Sequence, residues 1–218
     1  MRTSRPHRAR QGHGARIRQE SEWHSRQGRS VKVLSRQVIY QGRVIRLIRE
    51  ALQVQGQRII RETVLHPGAV VIVPLLDRSR IVFVRQYRRA IGRELLELPA
   101  GTLDRRETLE VCARRELEEE TGWRAGQLRY LGQFYAAPGF ISERMTLFLA
   151  RDLVRTQSAP EPDEFIEPVV LSLAASLRKI RSGEICDAKT LIGIWLAQQI
   201  LEGRRSCLIA ASRARGEA

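Results

Sequence analysis

From Val31 onward the chain alternates short apolar runs with polar or glycine-bearing breaks, whereas residues 1–30 show no apolar period. Val33 to Tyr40, Arg43 to Ala51 and Arg58 to Leu65 are strand-like, and Gln41-Gly42 and Gln55-Gly56 separate them. Such dipeptides suit hairpin turns, so these runs predict a small antiparallel sheet. Ala69 to Leu76 and Arg80 to Gln86 are rich in Val and Ile and flank Asp77-Arg78-Ser79. They predict a second hairpin, with buried strands. Leu95 to Leu98 is a short strand stopped by Pro99-Ala100-Gly101. A helix follows: Asp104 precedes Glu107 in a near capping-box relation, Leu109, Ala113 and Leu117 recur at helical spacing, and Gly122 offers a left-handed close. Beyond it, strands are predicted over Leu128–Ala136 and Arg144–Ala150, around the loop Ala137-Pro138-Gly139-Phe140, and over Phe165–Leu173. Leu173–Arg181 and Ala188–Leu201 read as helices. Strands interleaved with a few helices give an α/β class.

The pattern divides the chain into a disordered basic tail (1–30), an N-terminal antiparallel sheet (31–66), a main domain (67–202) and a basic C-terminal tail (203–218). Composition adds little to that division: 43% hydrophobic and 28% charged residues are globular values. Charge adds more. Thirty-five of the 38 basic residues are Arg, and only Lys32, Lys179 and Lys189 are Lys. Of the net charge of +14, residues 1–30 supply +6 and residues 203–218 supply +3. The main domain therefore carries no dense basic stripe, and nucleic acid is not expected as a partner. No apolar stretch approaches the roughly 20 residues that span a bilayer, and no apolar leader core follows Met1. The three cysteines, Cys112, Cys186 and Cys207, are scattered without metal spacing and are expected to be reduced and mostly buried. A soluble, cytoplasmic protein is the expectation.

The chemistry concentrates between Gly101 and Trp123. At about 100° per residue, Glu116, Glu119 and Glu120 share one arc of a helix, while Glu118 points away. Like charges on one face repel, and near a helix C-terminus the macrodipole disfavours them further. Glu-rich helix faces are commonly plain solvated surface, but a hard divalent cation would resolve both conflicts, and an all-oxygen donor set favours Mg²⁺ or Mn²⁺.

The spacing Gly101, Glu107, Arg115, Glu116, Leu117, Glu119, Glu120, Gly122, Trp123 matches the Nudix box at every position, and on it the chain resembles the Nudix hydrolases. The resemblance implies an α/β/α sandwich with a mixed sheet, and metal held by Glu116, Glu120, Glu119 and the Ala100 carbonyl. It also implies that Arg115 orients the carboxylates and that Glu107 braces Arg115. Val84-Arg85-Gln86-Tyr87-Arg88, Glu97-Leu98-Pro99-Ala100-Gly101, Ala137-Pro138-Gly139-Phe140-Ile141-Ser142-Glu143 and Gly183-Glu184-Ile185-Cys186-Asp187-Ala188-Lys189-Thr190 look like its ADP-ribose pyrophosphatase branch. Pro138 lies sixteen residues after Gly122, as that branch requires, while Ala137 stands where Ser is more usual. Hydrolysis of ADP-ribose to AMP and ribose 5-phosphate is thus implied, with another nucleoside diphosphate sugar such as GDP-mannose as the alternative. A nucleic-acid-binding protein with an inactive Nudix domain is a remote third reading, opposed by the intact acidic face.

Arg88 is expected on the substrate pyrophosphate and Glu143 at the terminal ribose, with Arg85, Pro138 and Gly139 as further substrate-binding residues, though Pro138-Gly139 also suits a plain turn; Tyr135 and Phe140 are candidates to stack the base. His66, followed by Pro67-Gly68, is expected to be structural. Carboxylates committed to metal are poor proton acceptors, so the general base should lie outside the box. In related enzymes the acidic loop supplies it, which points to Glu164, with Asp163 and Glu161 as alternatives. The N-terminal sheet is too small to stand alone, and the resemblance implies that it exchanges between the subunits of a homodimer.

Overall fold

The computed structural model describes residues 22–24, 30–104, 106–158 and 165–203. Most of the two tails, Cys207 and the loop acids Glu161, Asp163 and Glu164 lie outside the described residues. By internal packing the chain divides into two units, one made of the chain up to Gln37 with Arg49–Glu62, the other of Val38–Ile48 with everything from Thr63 onward. The sequence boundary at 66/67 differs from this partition, because the 38–48 segment groups with the larger unit.

The N-terminal sheet has four strands in the order β1 (Glu22–His24), β2 (Ser30–Gln41), β3 (Arg46–Val54) and β4 (Gln57–Leu65). The three expected strands are present. The fourth corrects the expectation of an entirely disordered tail, since Glu22–His24 pair antiparallel with Ser30–Lys32. The β3–β4 turn forms at Gln55-Gly56, with φ of 51° and 81°, the left-handed pair that a tight hairpin needs.

The larger unit is built on two sheets. One is mixed, in the order β8 (Ala100–Thr102), β5 (Ala69–Pro74), β10 (Arg144–Arg155), β9 (Trp123–Tyr135). The other joins β11 (Ile166–Ser172), β6 (Arg80–Arg88) and β7 (Arg93–Glu97). The expected β5–β6 hairpin is therefore corrected. Its turn exists, with Asp77 Oδ1 accepting from the Ser79 and Arg80 N–H groups at 2.8 Å each. Past a single bridge between Leu75 and Ile81, however, the strands part into different sheets. Both are apolar on both faces, so each satisfies its ladder with a distant partner: β5 runs parallel to β10, and β6 pairs with β11 and β7.

Alternation along β5 and β10 makes the sandwich. Val71, Val73, Leu147 and Leu149 join one core with Ile194, Leu196 and Ala197 of α3 (Ala188–Leu201). Val70, Ile72, Phe148 and Ala150 join a second core with Cys112, Ala113 and Leu117 of α1 (Leu109–Thr121). The two-residue period of a strand sends consecutive side chains to opposite helices. On the α3 side, helix α2 (Leu173–Arg181) adds Leu173, Leu177 and Ile180 to the edge of the first core. Gly193 lets α3 pack closely on Leu98 and on Val73 of β5, since a Cβ there would stand 2.3 Å from Leu98 Cδ1 and 3.3 Å from Val73 Cγ2.

Helix α1 begins later than the Asp104–Glu107 pairing suggested. Thr108 is its cap, with Oγ1 accepting from the Val111 N–H at 3.3 Å. The reciprocal half survives in a preceding turn, where the Asp104 N–H donates to Glu107 Oε1 at 3.1 Å. Gly122 closes the helix at φ 67°, as expected of glycine at that position.

Candidate active site

Because Cys112, Ala113 and Leu117 face the sheet, α1 turns Glu116 and Glu120 toward the β8 backbone, with Glu119 beside them on the helix. Glu116 and Glu120 are 9% and 1% exposed, so the acidic face is far from the solvated surface that composition alone suggests. The Ala100 N–H donates to Glu120 Oε2 at 3.1 Å. Gly101 is required by close approach: a Cβ there would sit 1.8 Å from the Glu116 carboxyl carbon.

One guanidinium holds this face together. Arg115 Nη1 lies 2.8 Å from Glu116 Oε1 and 2.9 Å from Glu119 Oε2. Its Nε and Nη2 donate to the two oxygens of Glu107 at 3.2 and 2.8 Å. The Glu107 hydrogen bond, more than any other contact, raises Arg115 further above its ordinary value. Burial pushes the Cys112 thiol up, and neighbouring Glu107 adds to the effect, so Cys112 is an inert core thiol. Cys186 corrects the expectation of mostly buried cysteines: it is exposed, with Arg93 Nη2 3.1 Å from its sulfur. Glu118 points away from the cluster, as the helical arc predicted, and pairs with Arg124 at 2.8 Å.

Glu107 is held down from 4.5 to about 2, chiefly by the Arg115 hydrogen bond. A group depressed on folding contributes stability that is present above its unfolded value and lost as pH falls through its folded one. Stability should therefore decline between pH 4.5 and about 2, and Glu107→Gln should flatten that part of the curve. Urea midpoints measured against pH for the two proteins check this; parallel curves would contradict it.

Among the described residues, no three His, Cys, Asp or Glu side chains are gathered as a ready-made cage for an ion. Glu116 and Glu119 reach Arg115, and Glu120 reaches the Ala100 amide. The donor chemistry nevertheless fits a hard cation: three carboxylates on one helix face, beside a main-chain segment that approaches closely because Gly101 has no side chain.

Arg88 lies at the end of β6, where its Nε and Nη2 grip both oxygens of Glu97 at 2.9 and 2.5 Å. Glu97 is 1% exposed. It also accepts from Lys189 Nζ, which in turn lies 2.9 Å from Asp187 Oδ2. Asp187 caps α3 through the Thr190 N–H at 3.0 Å, and Thr190 Oγ1 accepts from the Leu98 N–H at 2.8 Å. The sequence reading did not single out Glu97, Asp187 or Lys189 as a network. The available signals were a lone carboxylate in the apolar run Leu95–Leu98 and a Lys in a chain that otherwise uses Arg. Arg85 alternates to the opposite face of β6 from Arg88, beside Glu167 at 3.8 Å. The structure thus does not bring the two arginines onto one face.

The loop carrying Pro138, Gly139 and Glu143 is tied to the end of β4: the Val64 N–H donates to the Phe140 carbonyl at 2.8 Å and the Ser142 N–H to the Val64 carbonyl at 2.9 Å. Phe140 and Tyr135 are both exposed. His66 is structural, as expected. Its Nδ1 accepts from the Gly68 N–H at 3.1 Å and lies 3.8 Å from Glu143 Oε1. Before residues 159–164 the chain is anchored to α1, and after them to β6. Ser158 Oγ donates to the Glu119 carbonyl at 2.7 Å, and Ile166 pairs with Gln86, two residues from Arg88.

The NUDIX domain profile matches residues 65–188. An ADP-ribose pyrophosphatase of Bacillus subtilis (strain 168) is 38% identical over 170 residues, covering 77% of this chain and 92% of that protein. A GDP-mannose pyrophosphatase of Salmonella arizonae is 38% identical over 134 residues, or 57% of this chain and 70% of that protein. Among solved structures, an ADP compounds hydrolase superposes with a TM-score of 0.72 at 25% identity, over 79% of this chain and 95% of that one. The matched span contains both sheets' central strands and the whole acidic helix, and with that agreement the chain belongs to the NUDIX family and is a Nudix hydrolase.

Proposed function

We propose that the protein adds one water across the P–O–P anhydride of a nucleoside diphosphate sugar, releasing two phosphate monoesters, and that ADP-ribose, split to AMP and ribose 5-phosphate, is its substrate. The observation that carries this reading is the acidic face of α1, with Glu116 and Glu120 buried, Arg115 bracing Glu116 and Glu119, and Glu116 pressed against the glycine of β8. Glu116, Glu119, Glu120 and the Ala100 carbonyl would hold Mg²⁺ or Mn²⁺, which when bound neutralises pyrophosphate charge and acidifies water. Arg115 keeps Glu116 and Glu119 in register. Arg88 offers its cation to the pyrophosphate, and Glu164 accepts the proton of the attacking water. Glu143 is assigned to the terminal ribose, with Pro138 and Gly139 in the same substrate loop, while Arg85, on the opposite face of β6 beside Glu167, does not join Arg88.

The name of the Bacillus subtilis relative supports ADP-ribose, and that of the Salmonella relative supports GDP-mannose as the second reading. The box residues face pyrophosphate and not the base, so they do not separate the two. A panel of ADP-ribose, ADP-glucose, GDP-mannose and UDP-glucose, with released AMP, GMP, UMP and sugar phosphate measured, does. ADP-ribose should give the highest kcat/KM; a GDP-mannose preference would transfer the assignment.

A homodimer belongs to the same reading. It is supported by exposed Leu34, Val38, Ile39 and Tyr40 on β2, an apolar strand surface that a small sheet would otherwise leave to water. Light scattering should give twice the 24.9 kDa chain mass, and a monomer at micromolar concentration would refute it. A reducing, cytoplasmic setting is consistent with the free thiols Cys112 and Cys186. None of the described helices is long and apolar enough to cross a membrane.

A further inference from the structure

The Arg88–Glu97 pair poses a problem for an arginine that serves substrate phosphate. Glu97 is 1% exposed, and Arg88 grips it with two hydrogen bonds. Breaking a buried ion pair by withdrawing one partner leaves an uncompensated charge, which is strongly unfavourable. A guanidinium held only by this carboxylate would stay with it, and pyrophosphate would compete poorly. The structure supplies a second cation at the same oxygen: Lys189 Nζ and Arg88 Nη2 both reach Glu97 Oε2. Lys189 is itself 7% exposed and fixed on its other side by Asp187 at 2.9 Å. Asp187 is in turn held by Thr190 Oγ1 at 2.6 Å at the start of α3. The lysine therefore cannot drift away when Arg88 moves. Arg88 differs from it in keeping part of its side chain at the surface, 36% exposed.

We propose that Lys189 is a positioning residue that takes over Glu97 when Arg88 turns to the substrate's pyrophosphate. The proposal rests on the reading of Arg88 as a phosphate contact. Glu97 is the parking site that keeps Arg88 extended along β6, and Lys189 makes leaving it inexpensive. Without Lys189, Glu97 has Arg88 as its only strong cation among the described residues and retains it.

Steady-state kinetics with ADP-ribose test the hand-over. Lys189→Met should raise KM roughly tenfold or more with kcat changed far less, because substrate and transition state both lose the Arg88 contact. Lys189→Arg should restore KM, and Glu97→Gln in the Lys189→Met background should lower it again by releasing Arg88. Arg88→Ala combined with Lys189→Met should show a KM no higher than Arg88→Ala alone, since the lysine acts through the arginine. Additive effects, or an unchanged KM in folded Lys189→Met, would overturn the proposal. An unchanged KM in Arg88→Ala would instead sink the phosphate contact itself, which keeps the two failures apart. The wild-type protein gives a second readout that needs no folded variant at position 189. With ¹⁵N-labelled arginine, the Arg88 Nε–H resonance, assigned through Arg88→Lys, should shift on saturation with the α,β-methylene analogue of ADP-ribose. A resonance that stays in place while the analogue binds would show that Arg88 never leaves Glu97, and would end the proposal.

Discussion

Glu120→Gln is expected to lower turnover at least ~100-fold, the scale on which a site loses a principal electrostatic contributor. The substitution keeps the shape of a side chain that is 1% exposed, and the amide oxygen can still accept from the Ala100 N–H. The fold should therefore survive with its melting temperature little changed, and the loss reports on charge. Mn²⁺ affinity followed by electron paramagnetic resonance should weaken in the same variant, and EDTA should abolish wild-type activity. Near-normal hydrolysis by Glu120→Gln, or full activity in excess EDTA, would remove the acidic face from the reaction.

Glu164→Gln should reduce kcat by ~100- to 10,000-fold, the range for loss of a general base, with KM largely kept. The carboxylates of the acidic face are poorly suited to that role. Glu116 and Glu119 are shared with Arg115, Glu120 is held by the Ala100 amide, and Glu107 at about 2 has almost no basicity near neutral pH. An acid from another segment is needed, and the residues flanking 159–164 are bonded to the Glu119 carbonyl and paired with Gln86. A loss below tenfold in Glu164→Gln, with a large one in Glu161→Gln or Asp163→Asn, would move the role to that neighbour.

The acidic site was legible because its information is local. Helical periodicity alone put Glu116, Glu119 and Glu120 on one side and Glu118 on the other, and Gly122 marked the helix end. Local pattern failed where pairing is long-range. Ala69–Leu76 and Arg80–Gln86 are continuous apolar runs, and such runs do not reveal which neighbours they pair with; the turn between them was real, the hairpin was not. The Arg88–Glu97–Lys189 network was out of reach for a similar reason, since Glu97 and Lys189 are 92 positions apart. The helix start was misplaced because Asp104 and Glu107 satisfy half a capping box while Glu107 is also drawn to Arg115, leaving Thr108 as the cap.

The parallel pairing of β5 with β10 also governs the order in which the molecule can be assembled. Met145 aligns with Ala69 and Ala150 with Pro74, so the intervening chain, α1 included, forms one long closed loop whose ends must meet before β5 and β10 gain the ladder they share. On a ribosome the acidic helix emerges well before Phe148 and Ala150, which cover its apolar side. Until they arrive, Cys112, Ala113 and Leu117 have only half a core, and a short isolated helix with clustered like charges is a poor structure in water. Maturation of the catalytic helix is therefore tied to completion of a strand made later, and the nascent chain passes through a stage in which its most acidic segment has only the β5 side of its core to fold against.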